Sequence, residues 1–596
     1  MVNAEETELG RVHREGAAVA PPDSSGKVHS SRNFWRARAP LALVFVTLFN
    51  AVVLVYFHDR FWWPPDEGVY AHTAERMLNG EVLNKDVEEI HTGYIHFIHV
   101  ASFAAFGTRL VSMRYPLIIA GFLQSLMMFL IFAPRNLLVA VVVAVCATAF
   151  GVIQFLNPQP SWYCLLFVTA IALLLTRLRD WKWTIQVVGV LIGLIFFFRQ
   201  ITGVFAAMGV LFYLLTERKE ESLAQNTALA RGLIALMLLG TVVYLIAASN
   251  VYGWVLIGIW PVFLLGESVL RHAKTPNKPS LEIIAKLGAG FIASAAPILV
   301  YHIANGSLRT FFDDTLLRAF DIQQLPYLKL ANYVVQQGYA ARTLFEFRSF
   351  QEVVNGFFWL VLPLTTVIVG ALTVKHFAKT RSSADVGALP VLAVFYSLVA
   401  LFQQIPIYFF YMFPMTVGAI FWLSLKARKR TGLTLVCIAL AFSAIAIRYQ
   451  AGQPVTRSLA GIIRGNRVAL VPATTIERAG LWIEPESLKT YTEVISVIQA
   501  NSQPNETIFV LPYNSELYFL AERRNPFRFW NTAVGIRPGS EEQHVMNVLR
   551  STPPRVVVIA PRDRNNTPTS EAITAYVREH YSLVQTIGSF EIYRAP

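Results

Sequence analysis

The stretch LLVAVVVAVCATAFGVIQF, residues 137–155, contains no charged side chain. A helix needs about 20 predominantly apolar residues to cross the hydrocarbon core of a bilayer, and this run approaches that length. Comparable runs recur along most of the 596-residue chain, of which 54% is hydrophobic and only 15% charged. Soluble globular chains average about 25% charged residues. The sequence therefore predicts an integral membrane protein with many spanning helices.

Thirteen apolar runs, including this one, are predicted to cross the membrane. We expect the first run to be retained as a span, because a long polar tail precedes it and no small-residue cleavage site follows it. The predicted spans are residues 41–56, 116–132, 137–155, 162–175, 185–198, 203–215, 233–248, 254–265, 287–303, 357–374, 388–401, 407–425 and 433–447.

The positive charges of the chain predict its orientation in the membrane. The formal net charge is +13, and the cations cluster in alternate connections between spans, as in Arg177, Arg179 and Lys182. The positive-inside rule places these connections and the N-terminal tail in the cytoplasm. An odd number of spans then leaves the C-terminal end outside. In a soluble protein this charge would suggest nucleic acid as a partner, but cations placed between spans predict no nucleic-acid binding.

This topology divides the chain into three predicted domains. They are a cytoplasmic tail, 1–40, a transmembrane catalytic module, 41–447, with long external loops at 58–115 and 304–356, and an extracytoplasmic domain, 448–596. The last part has the alternation of amphipathic helices and short β-branched runs that is typical of a small α/β domain. Its predicted helices are 486–500 and 571–580, and its predicted strands are 507–511, 555–559 and 590–593. The predicted fold class is thus an α-helical polytopic membrane protein with a C-terminal soluble α/β domain.

The first external loop contains the segment WWPPDEGVY, residues 62–70. Because it follows the first span closely, Asp66 and Glu67 are expected near the membrane surface. A carboxylate that is partly desolvated there can act as a general base. The alternative is structural, because an acid after a Pro-Pro turn often caps a helix, and Asp66 would then cap a helix that continues through residue 77.

A longer string of residues in this loop resembles a known family. The string is Asp66-Glu67-Gly68-x-Tyr70, then Ala74-Glu75, Leu78-x-Gly80, Phe106-Gly107 and Arg114-Tyr115-Pro116. It is similar to the polyprenyl-phosphate-sugar-dependent glycosyltransferases of the GT-C class, above all the branch with protein O-mannosyltransferases and the lipid A aminoarabinose transferase. The resemblance covers the layout of the whole chain, but its sharp motif is confined to residues 66–116.

The resemblance implies an enzyme that moves a sugar from a polyprenyl-phosphate-linked donor to an acceptor hydroxyl, with inversion, at the external face of the membrane. Asp66 would be the catalytic base and Glu67 its catalytic neighbour. The acceptor would be a lipid, a glycan or a protein, and the donor's lipid tail would lie in the bilayer. A bacterial inner membrane fits the short cytoplasmic loops and the family branch, with the C-terminal domain in the periplasm.

Basic residues near the external surface hold the donor phosphate in that class, as charge-assisted hydrogen bonding predicts. The candidates are Arg199, Lys85, His91, Arg109 and Arg114, and the candidate substrate-contacting aromatics are Tyr70, Tyr408 and Tyr411. Each has a structural alternative. Arg199 can be an arginine that snorkels from a span end, Arg109 and Arg114 can be interfacial anchors, and the tyrosines near residue 408 can belong to an aromatic belt.

Three segments depart from the family pattern. His91 and Thr92 stand where a Lys-Pro-Pro-like element is common, and Gln403-Gln404 replaces an arginine near the twelfth span. The segment 157–160, Asn-Pro-Gln-Pro, replaces a second acid, which argues against a metal-dependent reaction.

A divalent metal is a possible cofactor but is not the favoured interpretation. His96 and His99, with Glu88 and Glu89 nearby, have side chains that bind such ions. Interfacial packing of the two histidines explains the pattern better, and no cofactor is predicted as required.

Two other functional classes remain open from the sequence. A transporter or flippase of lipid-linked saccharides would show charged or broken helices near the bilayer midplane, whereas the charges here cluster at span ends. A membrane scaffold with a periplasmic domain would not need the acidic pair.

Overall fold

The structure of the protein is a computed structural model, and it is mainly helical. It describes residues 25–217, 228–270, 278–318, 333–401, 404–405, 407–425, 429–450, 469–530, 536–563 and 565–596. Most of the predicted tail and the start of the predicted C-terminal domain lie outside the described residues.

The helices of residues 25–450 comprise long apolar elements and several short ones. In chain order they are α1 Ser25–Phe57, α2 Pro64–Leu78, α3 Tyr94–Phe106, α4 Leu110–Phe132, α5 Leu137–Ala149, α6 Pro160–Arg177, α7 Thr184–Phe198, α8 Gln200–Thr216, α9 Ala228–Ala248, α10 Val251–Leu270, α11 Lys278–Ala304, α12 Leu308–Phe312, α13 Tyr333–Glu346, α14 Phe350–Thr380, α15 Ser383–Val386, α16 Ala388–Tyr396, α17 Ile407–Phe410, α18 Phe413–Ser424 and α19 Lys429–Gln450.

Among the residues that the structure describes, nine helices are long and apolar enough to cross a membrane. Four shorter apolar helices, α7, α8, α16 and α18, coincide with the other predicted spans. Large apolar side chains face outward on the long helices, as Val52 on α1 and Ile246 on α9 do with exposed fractions of 69% and 71%. Such surfaces need lipid rather than water around them. The predicted fold class is confirmed, and the exact number of spans stays a prediction.

The loop predicted to be the first external one contains two helices, α2 and α3. Pro64 and Pro65 occupy the first turn of α2, where the missing N–H groups of proline cost nothing. Helix α3 follows Gly93, whose φ of +96° lies in the left-handed region that glycine tolerates. The next helix, α4, begins at Leu110, whereas the span was predicted to begin at residue 116. The first turns of α4 contain polar residues that are buried against other parts of the protein, so they do not belong to an apolar run.

The C-terminal domain is built on a four-stranded sheet. Its strands lie in the order β3 (Ile508–Leu511), β4 (Val556–Ile559), β6 (Phe590–Arg594) and β5 (Ser582–Ile587). Strands β3 and β4 are parallel, and β6 pairs antiparallel with β4 and β5. The elements are β1 Val471–Pro472, β2 Trp482–Ile483, α20 Pro485–Ala500, β3 Ile508–Leu511, α21 Glu516–Ala521, α22 Ser540–Ser551, β4 Val556–Ile559, α23 Pro568–His580, β5 Ser582–Ile587 and β6 Phe590–Arg594.

All five elements predicted for this domain are present. Strands β3 and β4 could be predicted because they are buried along their whole length, and such strands consist of apolar runs. The sequence analysis missed β5, an edge strand whose side chains are almost all exposed and which therefore lacks an apolar pattern. It also missed the short helices α21 and α22.

The C-terminal domain packs directly on the first external loop. Helix α21 lies against α2 so closely that a Cβ on Gly68 would overlap the backbone of Glu516. A set of ion pairs joins the domain and the two long loops, 58–115 and 304–356, to one another, and in it Arg318 of the second loop lies 2.5 Å from Glu88 of the first. The other pairs of the set are Arg318–Glu541, Arg528–Asp314 and Arg478–Glu75. The domain is thus held over the loop that contains Asp66.

Docking of the domain is expected to depend on pH through Glu516. Burial raises the pKa of Glu516 to about 7, against the hydrogen bonds from Asn514 and Tyr491. The Glu516 carboxyl therefore binds its proton more tightly in the folded protein than in the unfolded protein. As the pH rises from about 4.5 to 7, ionisation of this group lowers the free energy of unfolding, by at most about 3 kcal/mol. Glu516→Gln is expected to raise the thermal unfolding midpoint at pH 8 and to leave it unchanged near pH 4.5.

The control for that measurement is Glu493→Gln, at an exposed position of α20. An equal gain for Glu516→Gln at both pH values would contradict an ionisation penalty, because a packing effect does not titrate.

Candidate functional site

Asp66 lies in the first turn of α2 and is half-buried. The N-cap position is Trp63, so the structural alternative in which Asp66 caps the helix is wrong. Three neutral side chains donate hydrogen bonds to its carboxylate. Asn157 Nδ2 and Gln159 Nε2 lie 3.2 and 3.5 Å from Oδ2, and the Tyr513 hydroxyl lies 3.0 Å from Oδ1. Asp66 is therefore held in place by polar groups that leave it partly accessible.

Glu67, the next residue, is completely buried and is tied to Arg114. Arg114 Nε and Nη2 lie 2.8 and 2.6 Å from Glu67 Oε1, and the backbone N–H of Trp63 donates to Oε2 at 3.1 Å. Burial raises the pKa of Glu67, and the charge of Arg114 opposes that effect.

The Arg114 guanidinium also donates to the backbone of the loop that follows α1. It reaches the carbonyl oxygens of His58, Arg60 and Phe61 at 3.2, 3.0 and 2.7 Å. We call the pair Glu67–Arg114 with these carbonyls the loop clamp. Its contacts fit a structural role for both residues better than the catalytic and phosphate-binding roles expected from the sequence.

Arg199 is the cation that the structure brings into the same region. It lies between α7 and α8, is only 9% exposed, and donates through Nη1 to the Ser161 hydroxyl. Its Nη2 donates to the Tyr408 hydroxyl at 2.9 Å, and its guanidinium lies 5.2 Å from the centre of that ring. Burying a cation to this extent costs free energy unless polar groups surround it. Arg199 is therefore not an arginine that merely extends its charge from the end of a span into solvent.

The two tyrosines of α17 and the following turn connect Arg199 with Asp66. The Tyr408 and Tyr411 rings are 5.4 Å apart and perpendicular. The Tyr411 hydroxyl donates to Gln159 Oε1 at 2.8 Å, and Gln159 in turn faces Asp66. Both tyrosines are buried, so an exposed aromatic belt does not account for them. We call this series, from Arg199 to Asp66, the polar network.

Tyr70 lies one helical turn after Asp66, and its ring is 5.8 Å from that of His96. Burial and the negative charges of Glu89 and Asp66 raise its pKa well above 10. His96 Nε2 and His91 Nδ1 both contact the Glu89 carboxylate, the second at 2.8 Å. Burial alone would raise the pKa of Glu89, but the charge of His96 and the hydrogen bonds from both histidines outweigh it and lower that pKa.

Two hydrogen bonds from side chains to backbone carbonyls join the segment of His91 to the segment of Arg199. Gln200, which follows Arg199, donates to the Ile90 carbonyl at 2.9 Å, and Thr92 donates to the Phe196 carbonyl at 2.8 Å. In the described parts of the chain, no group of three or more acidic, histidine or cysteine side chains is arranged to hold a metal ion. Glu88 faces Arg318 instead of the histidines.

Two of the basic candidates, Lys85 and Arg109, are exposed, and the contacts described for them lie outside the polar network. Lys85 donates to the Asn305 carbonyl at 3.4 Å, beside the end of α11. Arg109 is exposed at the start of α4. The candidates that the structure does bring together are Asp66, Arg199, Tyr408 and Tyr411 in the polar network, with Tyr70 one helical turn after Asp66.

Sequence reasoning missed four residues that contact these groups. Asn157 and Gln159 belong to the segment 157–160 that departs from the family pattern, Ser161 follows it directly, and that departure was the available signal. Tyr513 comes from the C-terminal domain, 447 positions after Asp66, and nothing in the local sequence indicates its contact.

Comparison with known proteins gives matches among solved structures. No protein-family model matches the chain, and no curated protein does. The Archaeoglobus fulgidus oligosaccharyltransferase, solved with Zn and sulfate, matches 93% of this chain and 73% of its own length at 14% identity and a TM-score of 0.44. ArnT from Cupriavidus metallidurans in the apo state matches 94% of this chain and 98% of its own length at 12% identity and a TM-score of 0.38.

ArnT bound to undecaprenyl phosphate matches at 13% identity and a TM-score of 0.37, over 93% of this chain and 97% of its own. Because the TM-scores are below 0.5, the function proposed below rests on the site residues and not on these likenesses.

Proposed function

We propose that this protein is a membrane glycosyltransferase that moves a sugar from a polyprenyl-phosphate-linked donor to an acceptor hydroxyl. The observation that carries the proposal is the polar network, which joins a half-buried carboxylate, Asp66, to a buried cation, Arg199, through Gln159 and two tyrosines. A base and an anion-binding cation on one network are the two groups that such a transfer requires.

In the proposed reaction Asp66 accepts the proton of the acceptor hydroxyl as its oxygen attacks the anomeric carbon. The bond between that carbon and the phosphate oxygen breaks, and the electron pair leaves with the lipid phosphate. Arg199 stabilises the charge that develops on the phosphate. A single displacement of this kind inverts the configuration at the anomeric carbon.

His91 is proposed as a second contact to the donor phosphate. Its Nδ1 is engaged by Glu89 at 2.8 Å, which orients the ring and leaves Nε2 for a ligand. The hydrogen bond from Gln200 to the Ile90 carbonyl joins the segment of His91 to that of Arg199, and this proximity of the two segments supports the proposal. Tyr70, Tyr408 and Tyr411 would contact the sugar.

The site is proposed to face the outside of the cell membrane, which in a bacterium is the periplasm. Cations on alternate connections place the N-terminus in the cytoplasm and the loop of Asp66 outside. The lipid tail of the donor would lie among the spanning helices, whose outward faces are apolar. The acceptor would approach beneath the docked C-terminal domain.

The test is sugar transfer by the purified full-length protein in liposomes that contain a polyprenyl-phosphate hexose or pentose. We expect release of polyprenyl phosphate that depends on the protein, measured by thin-layer chromatography of radiolabelled lipid. Protein-free liposomes and the Asp66→Asn variant are the controls. A wild-type protein that moves lipid-linked sugars across the bilayer but releases no polyprenyl phosphate from any donor would contradict the proposal.

Arg199→Gln is expected to lower transfer at subsaturating donor about 100-fold, because the phosphate loses its charge-assisted contacts. The measurement is the initial rate as a function of donor concentration. Lys85→Gln and Arg109→Gln remove cations from exposed positions and serve as matched controls. If either of these exposed variants loses as much activity as Arg199→Gln, the assignment of the phosphate site to Arg199 is wrong.

A further inference from the structure

The C-terminal domain places one side chain directly on the proposed base. Tyr513 follows β3, and its hydroxyl donates to Asp66 Oδ1 at 3.0 Å. Its ring packs on Trp530 at 5.5 Å. Tyr513 is half-buried, in contrast to the residues on either side of it.

This contact has the geometry that a general base needs with its substrate. A hydroxyl that is about to lose its proton must lie within about 2.6–3.2 Å of the carboxylate oxygen, and the Tyr513 hydroxyl does. We propose that Tyr513 occupies the position of the acceptor hydroxyl, and that the acceptor takes over the hydrogen bond to Asp66 as the Tyr513 side chain turns away. This inference rests on the proposed function.

The segment that carries Tyr513 is anchored to α2, whereas the Tyr513 side chain itself is only half-buried. Glu516, three residues later, abuts Gly68 of α2 and accepts a hydrogen bond from the buried Asn514 at 2.9 Å. The segment is therefore fixed to the helix that contains Asp66. In the proposed exchange the half-buried side chain of Tyr513 rotates away from Asp66, and the domain itself stays docked.

A phenol in this position protects the donor while no acceptor is bound. Without it, a water molecule can take the same place, and Asp66 can accept its proton while its oxygen bonds to the anomeric carbon. The bond to the phosphate oxygen then breaks, the electron pair leaves with the lipid phosphate, and the sugar is lost as the free hemiacetal. Tyr513 thus couples use of the base to the presence of an acceptor.

Tyr513→Phe tests this role, because it removes the hydroxyl and keeps the ring. We expect the KM for the acceptor to fall about tenfold, as a competing hydrogen bond to a charged group is lost. Hydrolysis of the polyprenyl-phosphate sugar in the absence of acceptor is expected to rise about tenfold. The matched control is Tyr593→Phe, which removes a similar bond to the Glu591 carboxylate, 2.9 Å long, within the same domain.

The outcomes separate this inference from the proposed function. If Tyr513→Phe matches Tyr593→Phe in acceptor KM and in hydrolysis while Asp66→Asn is inactive, the role of Tyr513 is wrong and the function stands. A fall in kcat with no change in KM or hydrolysis would show that Tyr513 positions the base, and would also overturn the inference. If Asp66→Asn retains transfer at the wild-type rate, Asp66 is not the base, and the inference about Tyr513 falls with that assignment while the transferase activity stands. If the wild-type protein transfers no sugar, the proposed function itself fails.

Discussion

Replacing Asp66 by asparagine is expected to lower the rate of sugar transfer about 10²- to 10⁴-fold, the range that a positioned general base contributes. The amide keeps the shape of the side chain and can still accept a hydrogen bond from Asn157 or from Tyr513, but it has no basic oxygen to take a proton. The bound donor should be unaffected, since Asp66 is proposed to contact the acceptor. The measurement is kcat for transfer together with the affinity for the donor.

The matched control for Asp66→Asn is the substitution of another acid from the same loop. Asp86 is exposed and accepts a hydrogen bond from the backbone of Val82 at 2.8 Å. We expect Asp86→Asn to retain transfer within about threefold, because surface substitutions away from a special feature have small effects. Transfer by a folded Asp66→Asn protein at the wild-type rate would eliminate Asp66 as the base.

Replacing the neighbouring Glu67 by glutamine is expected to destabilise the protein by about 3–5 kcal/mol, the effect of removing one partner of a buried ion pair. Both Glu67 and Arg114 have no exposed side-chain surface, so the remaining guanidinium charge would have no solvent to screen it. The loop clamp also holds three carbonyl groups of the segment before α2. The measurement is the unfolding midpoint of the purified protein in detergent.

A double-mutant cycle tests whether Glu67 and Arg114 stabilise the protein as a pair. Glu67→Gln combined with Arg114→Gln removes both charges, and the pair should be less destabilised than the sum of the single changes. Glu75→Gln is the matched control on α2, since its ion pair with Arg478 at 2.5 Å is about 20% exposed and should contribute about 1 kcal/mol or less. Additive losses at Glu67 and Arg114 would contradict the loop clamp.

Much of the architecture follows from the sequence alone. Apolar runs of bilayer length, such as residues 137–155, predict spanning helices because the hydrocarbon core admits few alternatives for the backbone. Buried strands such as β3 and β4 are visible as β-branched runs for the same reason, since both of their faces exclude water. The edge strand β5 has no such pattern, because its side chains are almost all exposed and solvent places little restriction on them.

The candidate site was only partly predictable. Asp66, Arg199, Tyr408 and Tyr411 stand out as polar or aromatic residues at span ends, and the structure joins them in one network. Arg114 belonged to the same set of candidates but faces Glu67 in the loop clamp. Whether an arginine at a span end meets a carboxylate or a substrate depends on which helices surround it, and no local pattern encodes that.

The sequence by itself determined the class of fold, the helices and strands that are buried, and an acidic pair just beyond the first span. Only the tertiary structure decided that Asp66 and Glu67 have different surroundings. Consecutive residues of a helix point about 100° apart, so the rotation of α2 against its neighbours buries one acid on Arg114 and turns the other towards Gln159. Tyr513 reaches Asp66 for a similar reason, because only packing of the folded domains brings residues 447 positions apart into contact.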